Sequence, residues 1–143
     1  MAFKMTYEPD IIPAGEYDVI VYGIPHEDAT HGGKGFINIT FKITSGPQMN
    51  NYINWKVWPK KEPNAQDNAI GGYNFRNIQN LAKAVGIPEG TEFNDLDDIL
   101  RMTSGKPLKV TVSHNIYNGN TYLNVDRLDP ANSLGINDAG LPF

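Results

Sequence analysis

Five lysines, Lys34, Lys42, Lys56, Lys60 and Lys61, share a stretch of 28 residues with the aromatics Phe36, Phe41, Tyr52, Trp55 and Trp58, and that stretch holds no aspartate or glutamate. The whole chain carries a formal charge of -4, so a window of +5 leaves -9 for the other residues. Ammonium groups attract phosphates, and flat rings stack on bases. Interleaved along one surface, the two kinds of group suit an unpaired polynucleotide held without readout of its sequence. An acidic chain is a poor partner for a polyanion only if its charges are mixed. At a Debye length of about 8–10 Å a basic strip acts almost independently of carboxylates on the far side of a domain.

Strands and turns must position these residues. Residues 15–24 (GEYDVIVYGI) alternate, with Tyr17, Val19 and Val21 on one face and Ile20 and Tyr22 on the other. A loop is expected over 25–35. Residues 36–44 then set Ile37, Ile39, Phe41 and Ile43 against Phe36, Asn38, Thr40 and Lys42. The first set belongs in the core. Ser45-Gly46-Pro47 breaks the run, and 52–58 divides into Ile53, Trp55 and Val57 against Tyr52, Asn54, Lys56 and Trp58. Lysine and asparagine mark the second face as open to solvent, whereas Trp55 belongs with the core.

A long polar loop is expected over 59–72, followed by a helix from Phe75. There Phe75, Ile78, Leu81, Ala82 and Val85 recur at helical spacing, Asn74 is placed to cap, and Gly86 and Pro88 end the run. A second short helical turn fits 95–100, with Asn94 as its cap and three aspartates near the positive end of its dipole. Residues 106–114 and 121–128 read as a hairpin joined by a turn over 115–120. Three strands, a helix and two strands is the order of the five-stranded OB-fold barrel, all-β apart from one or two short helices, with the main helix between strands three and four. On that fold the ligand crosses strands two and three. The expected contacts are Lys34, Phe36, Asn38, Lys42, Tyr52, Lys56, Trp58, Lys60 and Lys61, with Tyr117 and Tyr122 closing the groove from the last hairpin.

Length and composition agree with one domain of this kind. The chain has 143 residues, 24 of them Gly or Pro, and no cysteine, which leaves no disulfide or thiolate metal site. No run approaches a membrane span and the N-terminus lacks a signal-peptide core, so a soluble protein of the host cytoplasm is expected. Residues 1–128 form the expected domain and 129–143 a flexible tail. The tail ends NDAGLPF, in which Asp138, Leu141, Pro142 and Phe143 suit a pocket with basic rims on another protein.

That ending resembles the acidic tip of bacterial single-stranded DNA-binding proteins, which recruits replication and repair enzymes. Only one carboxylate side chain stands in the last ten residues, fewer than the strong form of the motif has. The segments IPAGEYDVIV, residues 12–21, and GKGFINITFKITSG, residues 33–46, resemble a family of small phage proteins of formerly unassigned function that are now regarded as single-stranded DNA-binding proteins. The resemblance implies a protein that coats single-stranded DNA during phage replication or recombination and presents its tip to partner proteins.

No catalytic constellation competes with this reading. Gly32-Gly33-Lys34-Gly35 lacks the Walker spacing and its Ser or Thr. His26, Asp28 and His31 fall in a loop without a clear further ligand or second shell, and Asp95, Asp97 and Asp98 are accounted for as charges at a helix start. The chain is therefore read as a non-enzyme without metal or cofactor, free to form a homo-oligomer. Two other classes stand against it: a β-barrel module that docks another protein or joins a virion, and a metal-dependent nuclease using carboxylates such as Asp126.

Overall fold

A computed structural model describes residues 12–29, 33 and 35–131. Six antiparallel strands form one sheet: β1 (Gly15–Val21), β2 (His26–Ala29), β3 (Gly35–Ile43), β4 (Tyr52–Val57), β5 (Pro107–Tyr117) and β6 (Asn120–Pro130). Among the described residues three helices, α1 (Ala65–Ala69), α2 (Phe75–Ala84) and α3 (Leu96–Thr103), all lie between β4 and β5 in the chain. The sheet order is β2-β3-β1-β5-β6, and β4 pairs with the other edge of β3. β1 and β2 share one edge of β3: β1 pairs with residues 41–43 and β2 with 35–38.

The strand faces follow the alternation of the sequence. Ile37, Ile39, Phe41 and Ile43 of β3 are fully buried, joined by Val19 and Val21 of β1, Ile53 and Val57 of β4, and Leu108, Val110 and Val112 of β5. Ile78, Leu81 and Ala84 from α2, with Ile99 and Leu100 from α3, close the same core. Trp55 is half-buried, packs on this cluster and stacks on Phe41 at 6.3 Å.

Departures from the expected layout have local causes. The loop expected over 25–35 contains β2, whose sequence HEDA is exposed throughout and offers no apolar alternation. Charged residues are what an edge strand needs to resist pairing with another chain. Among the described residues the sheet thus has six strands rather than five, and it is open, because β4 and β6 do not pair. The last hairpin is longer than expected. Tyr117 pairs with Asn120, leaving only Asn118 and Gly119 in the turn, with φ of 53° and 79°. Two consecutive positive φ values define a tight hairpin turn whose twist matches the flanking strands. β6 also runs on to Pro130, two residues past the expected domain end.

The polar stretch 59–74 is organised by Asp67, only 2% exposed. Its backbone N–H donates to Asn64 Oδ1 at 2.9 Å, and Asn64 N–H donates back to Asp67 Oδ2 at 2.9 Å, a reciprocal capping box on α1. Its other oxygen, Oδ1, accepts from Phe75 N–H at 2.9 Å. Asn74 holds the N-cap position of α2 as expected, but its side chain makes no capping bond, and Asp67 serves that helix start instead. At α3 the cap is Asp95, accepting from Asp98 N–H at 3.0 Å, where the sequence had suggested Asn94.

Tyr73 ties this segment to β2. It is buried, and its hydroxyl donates to Glu27 Oε2 at 2.7 Å. Burial first, then the bond to the Glu27 carboxylate, pushes its phenol up to about 12. The hydroxyl also closes on Gly35, where a Cβ would meet it at 3.3 Å, so glycine lets the start of β3 pass this ring.

Candidate nucleic-acid interface

The face of β3 and β4 turned away from the core is a ladder of paired residues. Lys42 lies opposite Tyr52, Thr40 opposite Asn54, and Asn38 opposite Lys56. Thr40 Oγ1 donates to Asn54 Oδ1 at 2.8 Å, fixing the middle rung. Along the other edge of β3, Ile20 is opposite Lys42, His26 opposite Asn38 and Asp28 opposite Phe36.

Rings and lysines gather at the two ends of this ladder. At one end Tyr22 and Tyr52 meet at 5.1 Å with their planes tilted by 60°, and Lys42 Nζ lies 5.6 Å from the Tyr22 centroid. Both tyrosines are about half exposed. The hydrogen bond with Tyr22 raises the Tyr52 phenol above its ordinary value, with some desolvation added. At the other end Phe36 and Trp58 meet at 5.0 Å and 47°, and Lys56 Nζ stands 4.8 Å from the Phe36 centroid and 6.0 Å from that of Trp58. Each ammonium lies within reach of a cation–π attraction that orients it over a ring without neutralising it. Tyr52 and Trp58 are six residues apart, about 20 Å along an extended chain. Two aromatic stations thus stand at opposite ends of a polar run.

Several expected contacts sit differently. Phe36 is on the proposed face, but at 6% exposure it lies beneath Trp58 and Lys56 and is no open platform. Its part is to hold up Trp58. Lys60 is bound to the Asp67 carboxylate at 3.1 Å, so much of its charge is already balanced. Lys61 is exposed, while Lys34 and the tip residues Asp138, Leu141, Pro142 and Phe143 lie outside the described residues. Tyr117 and Tyr122 are exposed on the β5–β6 hairpin, a different pair of strands from the two ring clusters.

The acid-free window of sequence is not an acid-free surface. Asp28 arrives beside Phe36 through β2, and Asp18 sits at the opposite end, its backbone carbonyl accepting from Thr44 Oγ1 and its carboxylate from Ser45 Oγ. These carboxylates flank the ladder, whose interior carries amides, hydroxyls, His26 and lysines. Tyr22 is an exposed ring of this face that the expected contacts did not include. The alternation of residues 15–24 already set it on the face opposite Val19 and Val21, one residue past the end of β1.

A second feature adjoins Trp58. The open edges of β4 and β6 bound a cleft of about 510 Å³, lined by Asn54, Trp55, Lys56 and Trp58 on one side and Leu123, Asn124, Val125 and Asp126 on the other. Among the described residues no group of three or more His, Cys, Asp or Glu side chains could hold a metal ion, and no helix is long and apolar enough to cross a membrane.

The fold and this face define a β-sheet protein with an exposed aromatic and lysine surface between two flanking carboxylates. A family model described as "Protein of unknown function (DUF669)" matches residues 4–142, and the chain belongs to that family. No curated protein matches the chain.

Proposed function

We propose that the protein binds single-stranded DNA across β3 and β4 without acting on it chemically. The observation that carries this reading is the placement of two ring and lysine clusters at the ends of one polar, solvent-facing ladder. Bases stack on Tyr22 and Tyr52 at one end and on Trp58 at the other, while Lys42, Lys56 and Lys61 meet phosphates. Stacking of this kind is indifferent to base identity, since every base has a π-face. Flanking carboxylates limit the affinity and confine the strand to the ladder.

An OB-type topology supports the same reading. β1 pairs with β3, β3 with β4, β1 with β5, and β5 with β6, with the helices between β4 and β5. These are the neighbour relations of a five-stranded OB barrel with the β4–β6 seam open and β2 added at an edge. In this proposal the protein coats single strands in the host cytoplasm during phage replication or recombination. The tip bearing Asp138, Leu141, Pro142 and Phe143 recruits partner proteins.

Titration with oligo(dT), followed by tryptophan fluorescence, tests the binding claim. Saturable quenching without strand cleavage is expected. With three lysines on phosphates, the logarithm of the binding constant falls against the logarithm of salt concentration with a slope of about -2. Absence of any salt-dependent quenching would refute the reading and favour a protein-docking face; cleavage would point to a nuclease.

A further inference from the structure

We infer that the cleft between β4 and β6 is a base-reading subsite in which Asp126 favours nucleobases bearing an exocyclic amino group. This rests on the single-strand reading above but adds a preference that the stacking ladder lacks.

The backbone of β6 aims Asp126. Thr111 pairs with Arg127 whereas Val112 pairs with Val125, so β6 carries one residue more than β5 at this point, and Asp126 is the unpaired one. Such bulges redirect a side chain and raise the local twist. Here the bulge lets Val125 and Leu128 both face the apolar side while Asp126 lines the cleft. Arg127 is engaged with Asp129 at 3.2 Å, and among the described residues no cation forms a salt bridge with Asp126. The carboxylate is an acceptor facing an opening.

The shape of the cleft favours a base over a peptide. At their nearest positions β4 and β6 come within 8 Å between Cα atoms. A strand inserted between them needs about 9.5 Å, twice the spacing of paired strands. A planar ring needs far less width, and 510 Å³ falls within the range of small-ligand sites. Trp58 belongs both to the ladder and to the cleft wall, so a strand stacked at that end of the ladder can turn its neighbouring base inward over Trp55. There Asp126 meets the Watson–Crick edge. An aspartate accepts from the cytosine N4 amino group. Thymine offers a single N–H between two carbonyl oxygens, which repel a carboxylate.

The test compares oligo(dC) with oligo(dT) of equal length at neutral pH, for the full chain and for Asp126→Asn. The native protein should bind oligo(dC) about fivefold more tightly, as one charge-assisted hydrogen bond allows. In Asp126→Asn that ratio should fall close to one, with oligo(dT) affinity unchanged or raised and the far-UV spectrum native. Equal binding of the two oligomers by the native chain, or a ratio untouched by the substitution, would overturn the subsite while leaving the ladder standing. If neither oligomer binds, the single-strand reading falls and this inference with it.

Discussion

Alanine at both Tyr52 and Trp58 should lower affinity for oligo(dT) by about 100-fold, taking roughly one decade for each stacking platform lost. The two rings serve separate stations, one against Tyr22 and one above Phe36, so their losses should add. Because the rings are 46% and 36% exposed, the double variant should still fold. Its cost in stability comes mainly from uncovering Phe36. Trp55 remains as an internal reporter, stacked on Phe41; its emission in the free protein should stay native, while its quenching by oligonucleotide moves to about 100-fold higher concentration. Unchanged affinity in a folded double variant would mean that the strand runs elsewhere.

The largest effect on stability expected of a polar side chain belongs to Asp67, the one buried carboxylate among the described residues. Asp67→Ala removes at once the acceptor for Asn64 N–H, the acceptor for Phe75 N–H and the counter-charge of Lys60. It should lower Tm by about 10 °C. The pH dependence has a fixed sign. Hydrogen bonds from Phe75 and Asn64, aided by Lys60 and opposed by burial, hold the carboxyl below its ordinary 3.8. A depressed folded value stabilises the protein above the unfolded value, and that contribution fades as pH falls through the folded one. The Tm gap between the native chain and Asp67→Asn should therefore be widest near neutrality and shrink below about pH 4. A gap that does not change with pH would show that the charge on Asp67 is immaterial. Since Lys60 borders the ladder, Asp67→Ala also tests whether releasing that ammonium strengthens DNA binding.

Much of the ladder was legible because a β-strand has a period of two. Once Ile37, Ile39, Phe41 and Ile43 go inward, Asn38, Thr40 and Lys42 have only one place to point, and the same holds for Tyr52, Asn54 and Lys56. The period does not say how two residues on one face share space. Phe36 was therefore read as open, although Trp58 lies over it, and Lys60 was read as available, although Asp67 holds it. Both differences arise from contacts whose partners sit on other elements. β2 was hidden for a different reason: its exposed HEDA segment has no buried face, and only its backbone pairing makes it a strand. The bulge at Asp126 is likewise a matter of register, invisible until β5 and β6 are aligned.

The central claim is that unpaired DNA lies on the outer face of β3 and β4. Photo-crosslinking with an oligonucleotide of 5-iododeoxyuridine, followed by mass spectrometry of the joined peptides, tests it most directly. The account predicts adducts at Tyr22, Tyr52 and Trp58. Adducts confined to the helical side, at Phe75 or Phe93, would contradict it.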